Sequence, residues 1–187
     1  MAKKLSVFIC FLAFISSGAY AQSSASSLLD FTNDGSEDYY YKIQTSVWTT
    51  HFNPKPEHNN HQNLVGFEVY GRRLPPETTQ RFHDQFDYAR PLVGVALFRN
   101  SFHQNTTYLY GGIRQNLVAG QQLQTYIKVT GGLIHGYRGE YQHKIPFNHI
   151  GIAPAVIPMF GVQYKQVSSE LTLFGASGIM LTLGLTF

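Results

Sequence analysis

The chain has 187 residues, enough for one domain, with 14 Lys and Arg against 11 Asp and Glu and a single cysteine. A formal charge of +3 is no nucleic-acid footprint, and nucleic acid is excluded as a partner. Fourteen Phe, 12 Tyr and 17 Gly instead suit a β-protein rich in aromatic side chains and tight turns.

Met1 to Ala21 joins a basic pair, Lys3 and Lys4, to an apolar run from Leu5 to Ile15 and then to Ala19-Tyr20-Ala21. This is the layout of a secretory signal peptide, with cleavage expected after Ala21. Cleavage would remove Cys10, so the mature chain is expected to have no disulfide and no thiol for catalysis or metal binding. Loss of the two lysines would leave 12 basic and 11 acidic residues, a formal charge of +1. Residues 22–39 are polar and rich in turn formers, and read as a mobile periplasmic leader.

From residue 40 onward, alternation and β-branched or aromatic content mark eight strands, at 40–52, 63–71, 91–99, 106–115, 122–135, 150–164, 168–174 and 178–187. The last is the clearest. Ile179, Leu181, Leu183, Leu185 and Phe187 share one face, with small or weakly polar residues on the other. About 9 to 11 tilted residues cross a bilayer as a strand, and an apolar face of that length suits lipid. Strands in lipid must close to remove their edges. The expected fold is all-β: an eight-stranded antiparallel transmembrane barrel over residues 40–187, with a lipid-facing apolar exterior, in a bacterial outer membrane. A soluble β-domain with this segment as a buried edge strand is the competing reading.

The connections fall on two sides. Residues 53–62, 100–105 and 136–149 share one end, which their length and polarity mark as external. The long stretch 72–90 belongs to the opposite end, with room for a short periplasmic helix. Inside the sixth strand, Pro154 and Pro158 stand four residues apart. Proline cannot donate to a ladder, so the pair predicts a lateral gap in the wall, or else a loop from which the strand starts later.

Ser101 lies at the external end of the third strand, in Phe98-Arg99-Asn100-Ser101-Phe102. A serine nucleophile needs a base. His51 closes the first strand, and His58 and His61 lie in the loop after it. Antiparallel order brings that loop near the end of the third strand. Two histidines three apart lack the further ligands of a zinc site, so no metal is expected.

These motifs, in this order, resemble those of the outer-membrane lipid A palmitoyltransferases, the PagP-type eight-stranded barrels, across most of the mature length. Phe98-Arg99-Asn100-Ser101-Phe102 is similar to the family's Phe-Lys-Asp-Ser-Trp. Gly112, eleven residues past the serine, matches the spacing of the glycine at the floor of the family's acyl pocket. Pro154 to Pro158 repeats the proline spacing of the strand beside its lateral gate, and Trp48 with His51 is similar to the Trp-His pair that ends its first strand. Two departures stand out. Asn100 replaces the family's acidic residue, and Trp48 and His51 lie two residues further apart than the family's adjacent pair.

The resemblance implies transfer of a palmitoyl or other fatty acyl chain from a phospholipid to a hydroxyl of lipid A, by a monomer without cofactor. It implies His51 or His58 as base assisted by Ser101, Asn100 or backbone amides at the oxyanion, Gly112 setting the depth of an acyl pocket, and Pro154 and Pro158 beside the lipid entry. A lipid A deacylase or phospholipase, and a barrel with no enzymatic activity, are the alternatives.

Overall fold

Alternation of the kind seen in the last strand runs through most of the chain, and closure turns it into an inside and an outside. The computed structural model describes residues 39–74, 89–119 and 123–187. The expected signal peptide, the leader up to residue 38 and most of the 72–90 connection lie outside the described residues.

Eight antiparallel strands close into one barrel: β1 (Tyr40–His51), β2 (Val65–Tyr70), β3 (Ala89–Arg99), β4 (Asn105–Ala119), β5 (Leu123–His135), β6 (Ile152–Tyr164), β7 (Val167–Leu173) and β8 (Gly178–Thr186). The closing ladder runs from Lys42 opposite Thr186 to His51 opposite Gly178. Tyr41 and Phe187 add reciprocal backbone hydrogen bonds that seal the last residue into the wall. No helix among the described residues is long and apolar enough to cross a membrane, so any crossing is made by strands.

The outer surface is apolar. Ile43, Val65, Phe67, Leu97, Leu109, Ile113, Leu133, Val156, Phe160, Leu171, Leu183 and Leu185 are all exposed. The polar residues between them are buried. Lys42, Glu68, Lys128 and Glu170, from β1, β2, β5 and β7, meet in the lumen almost without exposure. Lys42 Nζ donates to Glu170 Oε1 at 2.6 Å, while Lys128 Nζ donates to Glu68 Oε1 at 2.7 Å and Glu170 Oε2 at 2.8 Å. Tyr70, Tyr110 and Tyr126 donate their hydroxyls to the same two carboxylates. Two cations against two anions leave the cluster neutral, the condition under which charges can be held away from water. Below it, Arg114 lies 3.7 Å from the centre of the Tyr126 ring and donates to Gln163, Gln124 and Asn116.

Two stretches of the wall are incomplete, both at the end that carries the loops 52–64, 100–104 and 136–151. The β1–β2 ladder stops at Thr45 opposite Val65, and beyond one further bond from Ser46 N to Leu64 O the two chains part. The β6–β7 ladder begins only at Met159 opposite Thr172. Residues Ile152 to Pro158 of β6 therefore pair with β5 alone, and Pro154 and Pro158 both fall there. The segment is a strand rather than a loop, with its prolines where one neighbour is missing.

Candidate functional site

The site begins with an irregularity in β1. Lys42, Gln44 and Ser46 follow the inward parity, and a bulge between Ser46 and Trp48 then shifts the register against β8. Val47 and Trp48 are both exposed, at 51% and 50%, while Thr49 and His51 are buried. A bulge inserts one residue and re-aims the side chains beyond it. His51 faces the barrel mouth for that reason; an unbroken strand would have put it on the outer face.

The loop 52–64 then crosses the gap above β2 and packs on the end of β3, where Asn59 N donates to Ser101 O and Arg99 N to Gln62 O. This brings Asn60, His51 and Ser101 together. His51 Nε2 is 2.7 Å from Ser101 Oγ, and His51 Nδ1 is 2.8 Å from Asn60 Oδ1. An amide oxygen only accepts, so Nδ1 carries the proton and Nε2 is the acceptor for the serine hydroxyl. Chemically, such a chain can serve as nucleophile, base and orienter of the base, with Asn in third place.

Of the two rival bases, His51 holds the serine and His58 stands behind it, with the ring centroids 4.4 Å apart. His58 Nδ1 is buried without a hydrogen-bond partner. Its pKa is lowered from the ordinary histidine value, first by desolvation and then by the neighbouring His51. His61 has its backbone N–H bonded to Asn59 Oδ1, and no group of three potential metal ligands forms among the described residues.

Asn100 is fully buried, and its side chain is spent on the turn. Oδ1 accepts from Phe102 N and Gln104 N, and Nδ2 donates to Gly136 O. The residue shapes the loop that presents Ser101 rather than facing the reacting atoms. Gly112 is equally displaced from its expected role. It takes the inward position opposite Thr130, one step below Tyr110, and a Cβ there would meet Val129 O at 2.4 Å. What glycine permits at this position is close approach of two strands.

Under the mouth lies an apolar cavity of about 30 Å³, lined by residues that include Leu64, Ala96, Phe98, Tyr108, Ile157, Phe174 and Met180, with Gln44 and Tyr110 at its floor. Gly112 does not border it. The charged cluster lies beyond this floor: Gln44 Nε2 and Tyr110 OH both reach Glu68 Oε1. Pro154 and Pro158 are exposed on the outer face of β6, while Ile157 between them lines the cavity.

Sequence reasoning missed Asn60 and Tyr137. Asn60 was visible only as part of His58-Asn59-Asn60-His61. Tyr137, in the loop 136–151, meets Phe102 edge-on with ring centroids 6.3 Å apart, and burial pushes its pKa up to about 12. The signal that could have found it is the Gly136-Tyr137 pair directly after β5, at the same rim as Ser101. No protein-family model and no curated protein matches this chain.

Proposed function

We propose that this barrel resides in a bacterial outer membrane and moves a fatty acyl chain, palmitoyl in the family it resembles, from a phospholipid to a hydroxyl of lipid A. The observation that carries the reading is the hydrogen-bonded chain Ser101–His51–Asn60 at the external mouth of a barrel whose outer wall is apolar. In this scheme His51 Nε2 takes the Ser101 proton as Oγ attacks the donor ester. The imidazolium returns that proton to the departing glycerol oxygen, which leaves as lysophospholipid. His51 then deprotonates the acceptor hydroxyl, which attacks the acyl-serine and frees Ser101. Asn60 holds the imidazole and stabilises its charged form. The unpaired stretch of β6 supplies a lateral path for a lipid chain toward the mouth.

One observation favours a hydrolase as the second reading. About 30 Å³ holds one or two waters, not a sixteen-carbon chain, and a charged cluster closes the lumen beneath it. Transfer into the lumen would need Met159, Met180 and Phe174 to swing aside. Methionine is suited to that, being unbranched and adaptable. A phospholipase or lipid A deacylase could instead leave the chain along the outer wall and pass the acyl group to water.

Mass spectrometry of lipid A from cells with and without the protein tests the primary reading. A gain of one palmitoyl mass is expected, and an unchanged spectrum would refute it. Labelled phospholipid with and without lipid A separates the two enzymes, since only the hydrolase releases free fatty acid when no acceptor is present. If cells carrying Ser101→Ala and His51→Ala keep the wild-type lipid A profile, neither the transferase nor the lipid A deacylase reading survives.

A further inference from the structure

Where β6 begins, the outer wall carries a pair of polar residues that the acyl-transfer scheme leaves unused. His135 is the last residue of β5, stands opposite Ile152 and faces outward by the parity of its strand. Its Nδ1 is 2.8 Å from Gly151 O, and its Nε2 is 2.7 Å from Nη2 of Arg138. A guanidinium only donates and a carbonyl oxygen only accepts, so Nδ1 carries the imidazole proton and Nε2 receives Arg138. The ring is therefore neutral, and the exposed guanidinium carries an uncompensated charge at the outer surface. The backbone beneath it is fixed: Arg138 N donates to Gln104 Oε1, and Gln104 Nε2 donates back to Arg138 O.

Apolar side chains border this cation. Leu133, two residues away on the same face of β5, is 55% exposed, and Ile150, next to Gly151, is 83% exposed. Phe147, in the same loop, is 67% exposed and holds φ at +63°, a region that bulky side chains rarely adopt. The loop is nonetheless braced. Asn148 Nδ2 donates to Tyr137 O and Gln142 O, and Gln142 Nε2 donates to Asn148 O and His149 O. An uncovered apolar patch on a fixed frame marks an interaction surface. Charge says what kind: between residues 136 and 151, Arg138 and Lys144, with His143 and His149, stand against the one carboxylate of Glu140. A soluble anion would gain nothing from the apolar border, and a bare hydrocarbon nothing from the guanidinium. A lipid that carries a phosphate matches both.

We propose that Arg138, positioned by His135, binds the phosphate of a phospholipid docked on the outer face of β5 and β6, with Ile150 and Phe147 against the apolar part of that lipid. The assignment rests on the membrane and acyl-transfer reading, and it names the surface by which the donor lipid reaches the wall. A guanidinium offers paired N–H groups that match two phosphate oxygens, which a lysine cannot do. The place also fits the route. From Ile152 to Pro158, β6 pairs with β5 alone, so a lipid held at Arg138 lies one strand from the stretch where the wall lacks a neighbour.

The test uses the full chain in detergent micelles, with bound lipid read by native mass spectrometry so that no turnover is needed. Two uncleavable probes differ only in the phosphate: a dialkyl-ether phosphatidic acid and the matching dialkylglycerol. Heat-modifiable mobility in gels checks that each variant is folded. The wild type is expected to bind the phosphate probe at least about tenfold more tightly than dialkylglycerol, Arg138→Gln to lose most of that preference, and Arg138→Lys to keep part of it. Ile150→Ser is expected to weaken both probes alike. Lys144, whose Nζ lies 6.0 Å from the centre of the Phe102 ring, supplies the control: Lys144→Gln is expected to change the preference by less than about twofold. A wild-type preference in Arg138→Gln would overturn the inference, and so would an equal fall in Lys144→Gln, which would reduce it to general charge attraction. Displacement of the probe by glycerol phosphate at equal concentration would show a site for free phosphate and overturn it too. Tighter binding of lipid A than of phospholipid would give the surface to the acceptor and overturn the assignment to the donor. Each of these results leaves the acyl-transfer reading standing, whereas cleavage of a p-nitrophenyl ester by Ser101→Ala at the wild-type rate would defeat that reading and leave the lipid-binding result unchanged.

Discussion

At the scale of single residues, the mouth of the barrel sorts two histidines that look equivalent on paper. His51 has both ring nitrogens engaged, one by Asn60 and one by Ser101. His58 has a buried, unpartnered Nδ1 and a lowered pKa. If His51 is the base, His51→Ala lowers kcat/KM by about 10²–10⁴, as loss of a general base does, whereas His58→Ala has a far smaller effect; ester-cleavage kinetics of the two variants checks this. The pKa of His58 gives a second expectation. Its titration monitored by NMR has a midpoint below the ordinary histidine value, and His51→Gln moves that midpoint up by removing one of the causes that depress it. Because the unfolded chain takes up the His58 proton first as pH falls, acidification through that window disfavours the folded loop.

Elements matter through their irregularities. The bulge in β1 adds a residue at Val47 and so gives Trp48 to the outside and His51 to the mouth. Deleting Val47 restores a continuous ladder in which Trp48 stays outside and His51 stays opposite Gly178 at the mouth. The expected outcome is a barrel with normal heat-modifiable mobility that keeps its ester cleavage. The lumen shows what four strands do together. Glu170 accepts from Lys42, Lys128 and Tyr126, so Glu170→Gln leaves an uncompensated cation in a region sealed from water. A loss of about 3–5 kcal/mol is expected, measured by urea unfolding in phospholipid vesicles. Adding Lys42→Met to the same chain removes the excess charge and recovers part of that loss, a coupling that a double-mutant cycle reads directly.

For the molecule as a whole, the apolar wall and the neutral charged floor make opposite demands on solvent. If the wall faces lipid, Leu183→Arg near the middle of β8 destabilises the inserted barrel by about 2–4 kcal/mol, measured by the same unfolding assay. The floor predicts silence in planar bilayers, and discrete channel openings would contradict it.

Most of this architecture is legible in the sequence because alternation is a local property. Each strand declares its own two faces, so eight strands, the loops that share one end and the proximity of Ser101 to the loop after the first strand can all be read from short-range pattern. Parity also suffices to place Pro154 and Pro158 in one wall. The rest depended on closure. Lys42 and Glu170 are 128 positions apart, and only the barrel sets them face to face. No local pattern announces the bulge that re-aims His51, the loop path that delivers Asn60, or the return of Tyr137 onto Phe102. Strand identity and the greasy outer surface were thus written in neighbouring residues. Which histidine holds the serine, and why the lumen ends on charge, were decided by contacts that exist only once the sheet has met itself.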